Sequence, residues 1–576
     1  MILTRRRVLQ SAAQLGAALA AGSAWADPLP LQICSANPLR KAVLRPPESA
    51  PPSMLHPERL APFVDELPIP KIARTQESAA DPEHPQRKIP LYRIGMRETQ
   101  VRVHRDLPAT RMWGYDGVVP GPTFDVRAGQ PLLIEWSNEL PQRHFLPIDH
   151  TLHGAGANVP EARAVVHVHG ARVRPEADGY PDSWFTPGNK QVYRYPMRQQ
   201  SATLWYHDHA MGIERLNVYA GLFGAFLLRD ELEDALGLPR DEFEIPLIIA
   251  DRQFNADGRL YYPTSGMPDS PWVSEAYGDV MLINGKMTPY LNVEPRAYRF
   301  RIVNASNARF YYLALSDGAA LQQIGSDQGL LPQAVSMKTV TLAPAERADV
   351  VIDFSKAAGQ NLILRSLAMD LMQIKVAPRK ASAPTVTAPT VAAPTASARN
   401  PALPKPLPQA LRPVARIPAA AAVKTRRLTL DNYEDPNTHM MMMLLNATYW
   451  RQPITENPVL NTTEIWELVN LTEDTHPIHL HMVRFQVLNR QRFDVDEYLM
   501  SGKMVFAGPV IAPLENETGW KDTVRADAGL ITRIIIPFEG YPGRFVWHCH
   551  VLEHAANEMM RPFQVLPPST RPRTSV

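Results

Sequence analysis

Leu133-Ile134-Glu135-Trp136-Ser137-Asn138, Phe300-Arg301-Ile302-Val303-Asn304 and Trp466-Glu467-Leu468-Val469-Asn470 are three versions of one phrase: a short apolar strand closed by asparagine. Asn138, Asn304 and Asn470 stand 166 residues apart in both intervals, although the second interval also contains a low-complexity tract. A phrase repeated at domain-length spacing reads as three copies of one β-domain rather than three unrelated amphipathic strands. Short strands punctuated by turns surround it, at 132–136, 224–228, 300–303, 465–469, 485–488 and 532–538. Helical periodicity is sparse, with 231–236 the best short candidate. The pattern predicts an all-β chain.

Working outward, a length of 576 residues suits three or four domains. The 56 prolines against 30 glycines gather mainly in two tracts. Residues 27–88 are Pro-rich with little periodicity and are expected to lie as an arm on the first domain. Residues 377–424 begin as Ala/Pro/Thr repeats, cannot bury enough apolar surface to offset their ordering entropy, and read as a flexible linker. The expected organisation is therefore a leader at 1–26, the arm, β-domains at 89–230 and 240–376, the linker, and a third β-domain at 425–568.

The leader carries Thr4-Arg5-Arg6-Arg7-Val8-Leu9, then an apolar run to Ala21 and the small-residue pattern Ala24-Trp25-Ala26. This is a twin-arginine export signal by pattern, too short to span a bilayer. It predicts contact with the twin-arginine export machinery, a bacterial periplasmic or secreted location, and no stable membrane anchor after its removal. Without Arg5–Arg7 the balance is 57 basic to 58 acidic residues, which points neither to nucleic acid nor to an anionic membrane. The two cysteines, Cys34 and Cys549, do not make a disulfide framework; Cys34 reads as a free thiol in the arm.

The chemistry lies in four His-x-His pairs: His167/His169, His207/His209, His479/His481 and His548/His550. Residues i and i+2 of a strand share a face, so each pair presents two imidazoles side by side. Two pairs fall in the first repeat and two in the third, while the second repeat has no histidine. A metal cluster between the outer domains, with the middle domain as spacer, follows from that distribution. Cys549 chooses the metal. With His476, His554 and a thioether, it completes the thiolate, two imidazoles and weak axial ligand of a blue-copper site. Met559 is preferred by spacing over Met560, and zinc fits a lone Cys with a Met partner less well. Electrons arriving at Cys549 can pass along its backbone to His548 and His550, toward a four-electron acceptor such as O2.

His-Val-His-Gly (167–170), Trp-Tyr-His-Asp-His (205–209), His-Pro-Ile-His-Leu-His (476–481) and His-Cys-His-x3-His-x4-Met (548–559) resemble the ligand motifs of multicopper oxidases. Leu146–Thr151, Asp178-Gly179-Tyr180-Pro181 and Arg215–Gly221 resemble the branch of bacterial spore-coat laccases and bilirubin oxidases. The resemblance implies three cupredoxin-like Greek-key domains and four coppers. It implies a type 1 copper on His476, Cys549 and His554 with Met559 axial, and a type 2 copper on His167 and His479. The type 3 pair would take His169, His207, His209, His481, His548 and His550. Asp178 matches an acid that assists proton delivery, so Asp178 and Cys549 are the expected catalytic residues. The implied partners are O2 and a small aromatic reductant: a phenol, an aromatic amine or a bilirubin-like pigment.

Two positions depart from the branch. Ala555 stands where spore-coat members carry a proton-transferring Glu, and Asp474 where bilirubin oxidases carry a Trp. The other histidines (56, 84, 104, 144, 150, 153 and 439) read as structural or surface groups. Met440–Met443 could form a Cu(I) site, but a run leading into Leu444-Leu445 reads better as core. Oxidation of Cu(I) or Mn(II) is the rival activity. His550 argues against a copper nitrite reductase, and the intact ligand set argues against a copper-free scaffold of the same fold.

Overall fold

The computed structural model describes residues 54–75, 77–267, 270–379, 407–434 and 441–568. The export-signal reading, Cys34, the first half of the arm, most of the Ala/Pro/Thr tract, His439 and Met440 lie outside them. Six sheets make three successive sandwiches, each built of two packed sheets. Three large apolar clusters follow the same division, centred on Trp136, Phe300 and Trp466.

The repeated phrase occupies the same place each time. The strands Leu132–Asn138, Ala297–Asn304 and Thr463–Asn470 each pair parallel with one neighbour and antiparallel with another. Their terminal asparagines are fully buried, and each does the same work. The Asn138 amide donates to the carbonyls of Ala162 and Phe185 at 2.9 and 3.0 Å. Asn304 donates to Arg309 and Leu342 at 2.8 and 3.0 Å, and Asn470 to Asp474 and Ala526 at 2.7 and 2.9 Å. Each side-chain oxygen also accepts the amide two residues on, the local turn for which Asn is suited. A buried group that satisfies three backbone partners cannot be exchanged for an apolar one without orphaning them. Here lies the physical reason for the repeat.

The helix expected at 231–236 is present as Glu231–Ala235, with Asp230 accepting from the Glu233 amide as its N-cap. Two expectations need correction. The arm does not lie on the first sandwich alone. Glu77–Asp81 pairs with His84–Val101 inside the first sheet, while Leu67 sits in the core of the middle sandwich and its N–H donates to the Tyr290 carbonyl at 2.7 Å. The apolar residues spaced among the prolines supply this anchorage. Likewise, 407–423 is not flexible: Leu411 is buried, Arg412 pairs with Asp230, and Gln486 exchanges hydrogen bonds with Ile417 and Ala415. Leu411 also packs on Ile324, Leu330 and Val351 and its N–H donates to the Pro332 carbonyl, so this strap ties the middle sandwich to the third. Among the described residues, no helix is long and apolar enough to cross a membrane.

Candidate metal centre

In the outer sandwiches the histidines ride on the four-stranded sheets. Val166–His169 pairs with Ala202–Asp208 so that His167 faces His207, and His476–Leu480 pairs with Gly543–Cys549 so that His479 faces His548. The rings within each His-x-His pair lie 4.9–5.8 Å apart, side by side as the two-residue period requires. All eight rings are at most 1% exposed and meet at the interface of the first and third sandwiches. The rings of His169 and His479 stack at 3.6 Å, and those of His167 and His481 at 3.8 Å.

The hydrogen bonds decide what this cluster is for. His167, His207, His479 and His548 each direct Nδ1 to a backbone carbonyl, of Asp178, Asp208, Asp522 and Cys549, at 2.6–2.9 Å. His481 directs Nδ1 to the Asp178 carboxylate at 2.8 Å. With Nδ1 donating, each Nε2 is left as a lone pair. Those of His167, His207 and His479 have no protein partner although fully buried. The Nε2 atoms of His481 and His548 face one another at 3.3 Å, and those of His209 and His548 at 3.2 Å. Lone pairs converging in a dry site are costly unless a cation lies between them. The donors fit one. Donor atoms within 4.8 Å of one another form the groups His167/His169/His479, His169/His207/His550 and His209/His481/His548, with His169 shared between two, and His167/Asp178/His481 beside them.

A fourth group lies wholly within the third sandwich. His476 Nδ1 and His554 Nδ1 are 3.2 Å apart, and the Cys549 thiol is 3.6 and 3.7 Å from them. The turn that returns the chain is closed by Met559 N–H donating to the His554 carbonyl and Cys549 N–H donating to the Met559 carbonyl. Met559 shares the apolar cluster of Cys549, whereas Met560 faces a different cluster with Val546 and Trp450. The two methionines thus face different parts of the third sandwich.

Burial lowers the basicity of the clustered imidazoles, His479 to about 3 and His548 to about 4, so they are neutral at ordinary pH. His554 runs the other way. Burial opposes its charge, but Cys549 and Glu275 outweigh that and raise it to about 10.

Several partners have no signal in the local sequence. The Thr472 hydroxyl meets His476 Nε2 at 2.7 Å, and Glu275 accepts from His554 Nε2 at 3.2 Å. Glu553, fully buried, holds Tyr262 and Asn307 at 2.7 Å each. Asp522 lies against His169 and His479. At the two departures, Ala555 is buried in the helix Leu552–Ala556, and the Asp474 carbonyl accepts from Asn470 and Thr472. Met443 is fully buried core.

Comparison with known proteins agrees with this geometry. Residues 156–233 and 422–569 match family models described as multicopper oxidase. A laccase from Bacillus stratosphericus is 44% identical over 532 residues, covering 88% of this chain and 99% of the relative. A laccase from Bacillus subtilis is 42% identical over 535 residues, with the same coverage. The chain belongs to the multicopper oxidase family. It is a laccase-type oxidase that couples a reductant to O2 and uses four coppers, one type 1, one type 2 and a type 3 pair. Among solved structures, the multicopper oxidase of the hyperthermophile Aquifex aeolicus superposes with a TM-score of 0.68 at 26% identity. That match covers 88% of this chain and all of the other, and it supports the cupredoxin-like architecture.

Proposed function

We propose that the eight buried histidines would hold the trinuclear copper site, and that His476, Cys549 and His554 would hold the type 1 copper, with Met559 as its thioether partner. His167 and His479 take the type 2 copper. One type 3 copper takes His169, His207 and His550, the other His209, His481 and His548. The observation that carries this reading is the convergence of Nε2 lone pairs whose Nδ1 atoms are already committed. Copper at these positions would supply single-electron acceptance at the Cys549 site and four-electron delivery to O2 at the other.

The chain supplies the rest. The carbonyls of Asp178, Asp208, Asp522 and Cys549 fix tautomer and ring orientation, so the ligands are arranged before metal arrives. Cys549 lies between His548 and His550, which gives the two sites a covalent link through a single residue. Asp178 is assigned to proton supply on position: Oδ2 meets His481, Oδ1 is 3.6 Å from His167 Nδ1, and Oδ1 has no hydrogen-bond partner. Burial favours its protonated form. The reductant is a phenol, an aromatic amine or a bilirubin-like pigment, oxidised near the Glu275 edge of His554. Core burial of Met443 weighs against a thioether site for Cu(I). The Arg-rich leader is assigned to twin-arginine export into the periplasm or beyond.

Copper quantitation with an absorption spectrum tests the reading. Four coppers per chain and a blue thiolate-to-copper band are expected, whereas zinc or an absent band contradicts it.

A further inference from the structure

The middle sandwich contributes no histidine, yet its strand Arg347–Asp353 begins with a fully buried arginine directed at the cluster. Arg347 grips Asp522 of the third sandwich with both arms: Nη1 donates to Oδ1 at 2.7 Å and Nη2 to Oδ2 at 2.5 Å. Such a forked pair fixes a carboxylate in angle as well as distance. The guanidinium is itself held, because Nε donates to the Thr203 carbonyl at 3.0 Å and Nη2 to the Asp327 carbonyl at 2.9 Å. Gln328 adds a donor to Asp522 Oδ2 at 2.7 Å.

Asp522 passes this constraint on. Its Oδ1 lies 3.1 Å from His169 Nε2 and accepts from the Thr523 hydroxyl at 2.9 Å, while its carbonyl holds His479 Nδ1 at 2.8 Å. One residue therefore orients a ring from the first sandwich and a ring from the third. The packing leaves no slack, since a Cβ on Gly170 would meet Asp522 Oδ2 at 2.7 Å and Arg347 Nη2 at 2.9 Å.

We propose that Arg347 is a positioning residue for the trinuclear site, acting through Asp522 on His169 and His479. The middle sandwich is then the part that sets the geometry at the type 2 end, and a spacer only in the sense that it supplies no ligand. This rests on the assignment of His479 to type 2 and His169 to type 3 copper. Lysine cannot reproduce the forked pair, although it keeps the charge. Partners of metal-bound histidines typically matter by about 10- to 100-fold in metal affinity or activity.

The experiment uses the copper-loaded full chain. Arg347→Lys and Asp522→Asn are compared with wild type by copper per chain, the paramagnetic signal of type 2 copper, the blue band, and the rate at which a chelator removes copper. The expected result is copper lost from the trinuclear site at least about tenfold faster, with an altered type 2 signal, the blue band and reductant KM being unchanged. Wild-type retention and signal in Arg347→Lys overturn the proposal, as does uniform loss of all coppers, which marks a merely structural role. If Arg347→Lys does not fold, Gln328→Ala removes a donor to the same carboxylate without stranding a charge. It must shift the type 2 signal in the same direction, and an unshifted signal overturns the proposal. His479→Ala serves as the control for the underlying assignment. Loss of the blue band there, with type 2 copper intact, indicts the ligand assignment and not Arg347.

Discussion

The two metal centres are built on opposite plans. The trinuclear site is buried between two sandwiches, and four of its eight rings are oriented by backbone carbonyls that cannot titrate or swing. The Cys549 site lies within one sandwich. The outer edges of its two imidazoles meet side chains, a buried Thr472 and a Glu275 whose side chain is 24% exposed. The difference follows from what each must meet. O2 is small and uncharged, so its site needs rigidity and exclusion, whereas a reductant of variable shape must be met near the surface. Glu275 is the group that faces both solvent and His554.

Variants can break or sharpen this contrast. The largest effect belongs to His481→Ala, which removes a ligand and frees Asp178: turnover falls to background while the blue band of the Cys549 site persists. Loss of that band would mean the two centres are not separately built. Asp178→Asn keeps a neighbour for His481 but removes the proton donor. We expect kcat to fall by about 10²-fold or more, with reduction of the type 1 copper by substrate unchanged in stopped-flow traces. An unchanged kcat would return Asp178 to a turn residue. The smallest effect is at the open site. Glu275→Gln should raise KM for a cationic aromatic amine and lower it for an anionic dye, by about fivefold each, the scale of a partly exposed, solvent-screened charge. Equal shifts for both would refute a charge role.

The clustering of the histidines was legible because it follows local rules: strand period for the His-x-His pairs, and a short turn that brings Met559 back to Cys549. The Asn repeat was legible for the same reason, as one strand end making the same three bonds in each sandwich. What escaped is long-range. Arg347 and Asp522 are 175 positions apart, and Glu275 and His554 are 279 apart, with no periodicity to join them. The strap at 407–423 was hidden by proline content, and the strand Glu77–Asp81 by its place in a Pro-rich tract and its few apolar residues, though neither forbids packing against a neighbouring sheet.

On the proposed assignment, one copper depends on Cys549 and three do not. Copper per chain and the visible spectrum of wild type and Cys549→Ser, purified after copper loading, test it most directly. Four coppers with a blue band should become three without it, the signals of the trinuclear site remaining. Retention of the blue band, or loss of every copper together, would contradict the division of the molecule into two separately built centres.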